Sequence, residues 1–238
     1  MIYRKRVHEV TPELAEVRFN AAVTAASTHA DHWPSLVPGW RSPALMSADA
    51  GRLELCYEKV DGCPLGWPDL AELLAALVEA SIALQPARAG HSQEHAIDGR
   101  EELPSRFRAP VTCWLASARP RRTTINGDLH PGNVLRATDD FCLIDWELSR
   151  KGWLGEEIAG LTVHALRAVG RGHVCPSAAE HIVYGAAPVV PAPALWALTR
   201  AEACRQAQRE LLAGSQWRAD ERMAIASVAE DRLGRLVP

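Results

Sequence analysis

The chain has little lysine: of its 238 residues only Lys5, Lys59 and Lys151 are lysines, against 23 arginines. A reaction that needs a lysine ammonium therefore has three candidates. Cysteine is present but unpatterned. The six residues at 56, 63, 113, 142, 175 and 204 form no Cys-x-x-Cys pair and no framework spacing, which argues against a zinc ribbon or a disulfide-stapled secreted domain. Free thiols and a cytoplasmic location are expected. No uncharged apolar run approaches the roughly 20 residues that span a bilayer. The start MIYRKRVHEV has no apolar stretch behind its charges, so neither a membrane helix nor a signal peptide is expected. Despite 16 glycines, no G-x-G-x-x-G and no Walker A pattern occurs. A net charge of −3 offers no polycationic surface, so nucleic acid and membranes are not expected partners.

What is present suits a packed globular chain, with 47% hydrophobic and 23% charged residues. Residues 2–7 alternate apolar and basic side chains and predict a short strand. Thr11-Pro12-Glu13 supplies an N-cap, a proline at the first helical position and a first-turn acid, so a helix is expected over 12–27. After the proline- and glycine-interrupted stretch 34–43, strands are expected at 44–47 and 52–60 around a turn at 48–51. Asp61-Gly62-Cys63-Pro64 ends that sheet.

Beyond it Asp69 is expected to cap a helix whose apolar residues at 70, 73, 74, 77 and 84 form one stripe. A polar loop over 86–104 precedes a helix at 105–118 and two short strands at 133–136 and 141–145. Helices follow at 156–169, 192–213 and 217–234. The reading is an α+β, two-lobed chain: residues 1–62 form a small mixed lobe, and residues 63–238 a larger helical lobe holding a strand pair.

The chemistry concentrates in Asn126-Gly127-Asp128-Leu129-His130-Pro131-Gly132-Asn133, followed by Leu143-Ile144-Asp145-Trp146-Glu147. Pro131-Gly132 bends the chain between Asp128 and Asn133, and the strand pair returns Asp145 beside that loop. An Asp, an Asn and a second Asp then converge, giving hard oxygen ligands for Mg²⁺ and one carboxylate free to take a proton. Phosphoryl transfer needs such a set, with metal to neutralise the triphosphate and a carboxylate to orient the attacking hydroxyl.

These residues resemble the aminoglycoside phosphotransferase and choline kinase family, which shares the protein-kinase fold with its catalytic-loop and metal-aspartate signatures. The resemblance implies a protein-kinase-like two-lobe fold with a truncated small lobe. It makes Asp128 the catalytic base, and gives Mg²⁺ to Asn133 and Asp145. It asks for a lysine on a small-lobe strand paired to a glutamate of the next helix, which selects Lys5 and Glu16, with Arg4 the alternative to Lys5. Tyr57-Glu58-Lys59-Val60-Asp61-Gly62 is similar to the hinge between lobes, where the backbone of Glu58 and Val60 would meet the adenine edge of ATP. Glu157, in Gly152–Ala159 (GWLGEEIA), takes a place where the family usually has Asp. Asn126 stands where the family usually has His, so the loop must be braced by an amide.

The family's glycine-rich hairpin over the phosphates has no counterpart ahead of Lys5. The expected consequence is an open edge at residues 2–7 that a protein partner or a second copy of the chain covers. From residue 151 onward nine Asp and Glu stand against ten Lys and Arg, which offers no acidic cleft for a polycationic aminoglycoside. The expected function is transfer of the γ-phosphate of ATP to a hydroxyl. The acceptor would be an antibiotic or other natural product, or a Ser/Thr peptide in lanthipeptide-like biosynthesis. The competing expectation is an inactive scaffold of the same fold. His91-Ser92-Gln93-Glu94-His95 has a zinc-protease spacing but lies in the polar loop, with no helix to align its histidines. His130 is expected either to touch substrate or to brace the loop, and Arg119–Arg122 to be a solvated surface.

Overall fold

The computed structural model describes residues 2–7, 12–27, 32–85, 105–138 and 140–236. His91 and His95, and the capping role expected of Thr11, lie outside them. The chain begins with β1 (Ile2–Arg6), α1 (Pro12–Ser27), β2 (Trp40–Arg41), β3 (Leu45–Asp49), β4 (Glu54–Glu58) and β5 (Cys63–Pro64). Two helices follow, α2 (Leu70–Ala83) and α3 (Ser105–Ala118). Four short strands come next: β6 (Thr123–Ile125), β7 (Val134–Arg136), β8 (Phe141–Leu143) and β9 (Arg150–Gly152). The remainder is helical, with α4 (Leu154–Gly170), α5 (Ala178–Gly185), α6 (Ala192–Leu212) and α7 (Gln216–Gly234).

The first sheet has the order β1-β4-β3 and is antiparallel. α1 covers it because Ala15, Phe19 and Ala22 recur at helical spacing and bury against Val7, Leu55 and Tyr57. A four-stranded sheet, β2-β8-β7-β5, and the pair β6-β9 sit in the helical part. There one large core runs from Trp33 and Trp40 through Leu73, Leu77, Trp114 and Leu143 to Ile158, Leu195 and Leu233. Residues near 33–41, inside the stretch expected to form the small lobe, thus pack in the large core. β2 pairs in parallel with β8. Among the described residues no helix is long and apolar enough to cross a membrane, and all six cysteines are free.

Three expectations need correction. The turn between β3 and β4 runs to Leu53, not Gly51, because Asp49 Oδ1 accepts the Arg52 N–H at 3.1 Å and Leu53 takes a left-handed φ of +50°. Asp69 does not cap α2 with its side chain. It turns back to accept the Gly66 N–H at 2.8 Å and to pair with Arg136 at 3.2 Å. Helix α5 went unforeseen: its eight residues bury only Ala178, Ala179, Ile182 and Val183, too short a stripe to stand out beside the following Pro/Gly run.

Candidate active site

The loop between β6 and β7 is held by one buried amide. Asn126 Oδ1 accepts the Asp128 N–H at 3.1 Å, while Asn126 Nδ2 donates to the carbonyls of Ile144 at 3.0 Å and Asp145 at 2.7 Å. One side chain therefore fixes the backbone of both aspartates, and Asn126 is wholly buried. Asp145 sits at a φ of +63°, a conformation that costs a non-glycine residue about 1–3 kcal/mol; the Asn126 bond to its carbonyl helps hold it there. Gly127 has a φ of +80°, and a Cβ there would collide with the Leu148 carbonyl, so only glycine serves.

Asn133 completes the cluster. Its Nδ2 donates to the Asp128 carbonyl at 3.0 Å and its own carbonyl accepts the Ile144 N–H at 2.9 Å, which leaves the amide oxygen available as a ligand. Glu157 of α4 lies beneath the loop, 1% exposed, and accepts the Asn126 N–H, the Gly127 N–H at 3.2 Å and the Trp33 indole N–H at 3.4 Å. Burial pushes its carboxyl up to about 7, against the pull of those backbone donors and Arg150.

Lys5 points inward from β1, whereas its neighbour Arg4 is exposed, as strand alternation places them on opposite faces. The expected Lys5–Glu16 pair does not form. Lys5 Nζ instead meets Asp145 Oδ1 at 2.8 Å and Glu147 Oε1 at 2.9 Å. The reason lies in α1, whose Ala15–Phe19–Ala22 stripe faces the sheet and turns the neighbouring Glu16 to solvent. Burial would lower the Lys5 ammonium, but Asp145 and Glu147 outweigh it and raise it. Glu147 is itself raised by burial and by Asp145, since one ammonium is shared between two carboxylates. The Tyr57 hydroxyl is also pushed well up, by burial first and then by both acids.

At the junction, Glu58 donates its N–H to the Ala44 carbonyl at 2.8 Å, and its exposed side chain pairs with Arg41 at 3.5 Å. β4 ends at Glu58, so the Val60 N–H is not used by the sheet. Two residues on, a Cβ at Gly62 would stand 2.9 Å from the Arg136 carbonyl oxygen, a close approach that requires glycine.

His164 of α4 was not singled out from the sequence. Its Nε2 lies 3.1 Å from Asp128 Oδ1. Burial alone would raise the Asp128 carboxyl; the His164 hydrogen bond and the charges of His164, His130 and Arg209 outweigh it and hold it well below the usual range. The available signal was spacing: His164 and Glu157 stand two turns apart on an otherwise apolar helix face. Of the two roles open to His130, the loop-bracing bond is made, its Nδ1 accepting the Gly132 N–H at 3.1 Å. Its ring also lies 4.9 Å from that of His164, centroid to centroid. Trp146 is a core residue, stacked on His32 at 4.0 Å.

The model of the phosphotransferase enzyme family (APH) matches residues 6–180. No curated protein is similar enough to be matched by sequence. Among solved structures, a choline/ethanolamine kinase family protein from Mesorhizobium loti superposes with a TM-score of 0.56 at 16% identity, over 98% of this chain and 84% of that one. Plasmodium vivax ethanolamine kinase gives a TM-score of 0.59 at 9% identity, over 97% and 77%. A thermostable mutant of the aminoglycoside phosphotransferase APH(4)-Ia, in a ternary complex with ADP and hygromycin B, gives 0.50 at 12% identity, over 90% and 82%. At these identities the likeness is one of fold, a kinase-like α+β architecture.

Proposed function

The chain belongs to the phosphotransferase enzyme family, and from that premise we propose that it moves the γ-phosphate of ATP, bound with Mg²⁺, to a hydroxyl group. The observation that carries this reading is the single Asn126 side chain tying Asp128 to Asp145, with Asn133 bonded to the same Asp128 backbone. The ADP complex of the kinase-like neighbour supports nucleotide binding in this fold.

The residues present fit a divalent cation. Asp145 and Glu147 crowd one ammonium, and the Asn133 amide oxygen is uncommitted. Among the described residues no cluster of three or more His, Cys, Asp or Glu forms a metal cage; magnesium, which keeps waters and phosphate oxygens in its shell, needs none. Asn133 and Asp145 would hold it, and when bound it would neutralise phosphate charge. Lys5 would swing from the carboxylates to the α/β-phosphates, and Glu58 and Val60 would offer backbone groups to the adenine.

In the transfer the acceptor oxygen bonds to the γ-phosphorus as the bond to the β–γ bridging oxygen breaks. ADP leaves with that electron pair, and the hydroxyl proton goes to Asp128. An antibiotic, another natural product or a Ser/Thr peptide is the acceptor class of this reading. β1 lies at the edge of its sheet, and a strand from another protein or a second copy added there belongs to the same proposal.

Titration calorimetry with the non-hydrolysable analogue AMP-PNP tests the reading. Tight binding that needs Mg²⁺, is abolished by EDTA and is weakened at least about tenfold in Asp145→Asn is expected. Binding indifferent to Mg²⁺ would leave the phosphotransferase reading without support, and Mg²⁺-dependent binding with no turnover would favour the scaffold. For Lys5→Ala, KM for ATP should rise about tenfold or more, the loss of one charge-assisted contact. Lys151→Ala, exposed on β9, should leave it unchanged. An unaltered KM in Lys5→Ala would remove the phosphate role from this lysine.

A further inference from the structure

Asp128 also lines a cavity of about 470 Å³ to whose wall Lys5, Asn133 and Asp145 do not contribute. Such a volume suits a small molecule. Its charge is one-sided. Arg18, Arg167, Arg171, Arg209, Arg218 and Arg222 face two carboxylates, Asp128 and Glu210. They come from α1, the end of α4 and the residue after it, α6 and α7, so four separate helices bring arginine to one space.

The surrounding acids do not cancel this charge. Glu221 takes both Arg167 and Arg171 at 3.0 Å. Glu202 reaches Arg209 at 3.3 Å but is shared with Arg150 at 3.1 Å and Arg205 at 2.9 Å. Arg222 is the most telling. It is 4% exposed, its ion-pair contacts are loose at 3.5 Å to Glu221 and 3.9 Å to Glu210, and its Nε and Nη1 donate to no hydrogen-bond partner among the described residues. A buried guanidinium with unused donors is unfavourable unless a ligand brings acceptors to it. Burial, with Arg167 alongside, also holds this guanidinium below its ordinary value.

We propose that the acceptor is an anion: a small alcohol bearing a carboxylate or phosphate group, held by Arg222 with Arg167 and Arg209 so that its hydroxyl reaches Asp128. The proposal rests on the phosphotransferase reading above and names its substrate class. A cationic alcohol in this cavity would meet a wall of its own sign. Trp67, Leu148, Ala168 and Ala213 supply the apolar part of the wall. Arginine, with its planar fork, is the side chain suited to gripping such oxyanions in pairs.

Calorimetry on the nucleotide-free protein tests this with glycerol 3-phosphate and D-glycerate as anionic alcohols, and glycerol, choline and kanamycin as neutral and cationic ones. At least one anionic alcohol should bind more tightly than all three others, and should weaken as salt is added. Arg222→Gln should weaken that binding about 10–100-fold, Arg222→Lys less, and Arg235→Gln, exposed beyond the end of α7, not at all. Where Arg222→Gln fails to fold by its melting curve, Arg209→Gln carries the same expectation. Anion binding should persist with saturating AMP-PNP and Mg²⁺ present, since the cavity and the Lys5 side are separate.

Choline or kanamycin binding as tightly as the anions would overturn the proposal. So would displacement of the anion by the nucleotide, anion binding that the arginine variants leave intact, or no anion binding at millimolar concentration. Failure of Mg²⁺-nucleotide binding would instead remove the phosphotransferase reading, and leaves the anion result to be read on its own.

Discussion

Asp128→Asn is expected to lower kcat by about 10²–10⁴-fold, the range for loss of a positioned general base, while Mg²⁺-nucleotide affinity stays close to that of the natural protein. The substitution keeps the size of the side chain and a group that His164 Nε2, 3.1 Å away, can still meet. It also leaves the bonds of the Asp128 backbone with Asn126 and Asn133 in place. What it removes is the negative charge that, in the proposed reading, attracts and orients the acceptor hydroxyl. His164 touches Asp128 and is a positioning residue in this scheme. His164→Asn should therefore reduce kcat less, with KM for ATP unchanged, because the carboxylate survives but loses its fixed orientation. Steady-state rates of ADP release, with melting curves to establish folding, measure both variants. Undiminished turnover from a folded Asp128→Asn protein would overturn the assignment.

The parts of this arrangement that were legible in the sequence are the local ones. Residues 126–133 and 143–147 carry their own turn chemistry, and the strand pair between them is short enough to be read directly. The amide brace from Asn126 followed from its donor and acceptor groups, and its bonds to Asp128, Ile144 and Asp145 have that form. Helices α1 (Pro12–Ser27) and α3 (Ser105–Ala118) cover the ranges that the residues predict.

Partners that depend on rotation or long-range packing were not legible. Glu13 and Glu16 both lie in α1, about one turn apart, and only the burial of Ala15 and Phe19 decides that Glu16 looks outward. Lys5 then finds Asp145 and Glu147, about 140 residues away, which no local pattern announces. β2 is similar: two residues, Trp40 and Arg41, form a strand only because β8 arrives beside them. The cationic cavity is the strongest case. The count of nine acids against ten bases beyond residue 150 is nearly neutral. The fold turns that neutral count into a polarised one by burying Glu202 among three arginines and committing Glu221 chiefly to two more, while Arg222 keeps two donors without a hydrogen-bond partner among the described residues.

The largest expected effect on stability belongs to Glu157→Ala. Glu157 lies on α4 beneath the loop between β6 and β7, 1% exposed, and one carboxylate satisfies three donors: the N–H groups of Asn126 and Gly127 and the indole N–H of Trp33. Truncation leaves all three without their carboxylate acceptor. Each unsatisfied buried donor costs about 1–3 kcal/mol, so the sum is on the order of 4 kcal/mol. For a chain of this length that corresponds to a fall in Tm of roughly 10 °C. Glu157→Gln keeps one acceptor oxygen but sets an NH₂ group against a backbone N–H, so it should fall between the two. Because Asn126 N–H is one of the lost partners, the loop should loosen before the rest of the fold. Amide exchange at Asn126 and Gly127 should therefore accelerate in Glu157→Gln under conditions where the core near Leu161 and Leu195 stays protected. An exposed control, Glu13→Ala, should change neither quantity. If Glu157→Ala melts no lower than that control, the three bonds contribute nothing to holding Asp128 in place, and the support assigned to Glu157 is wrong.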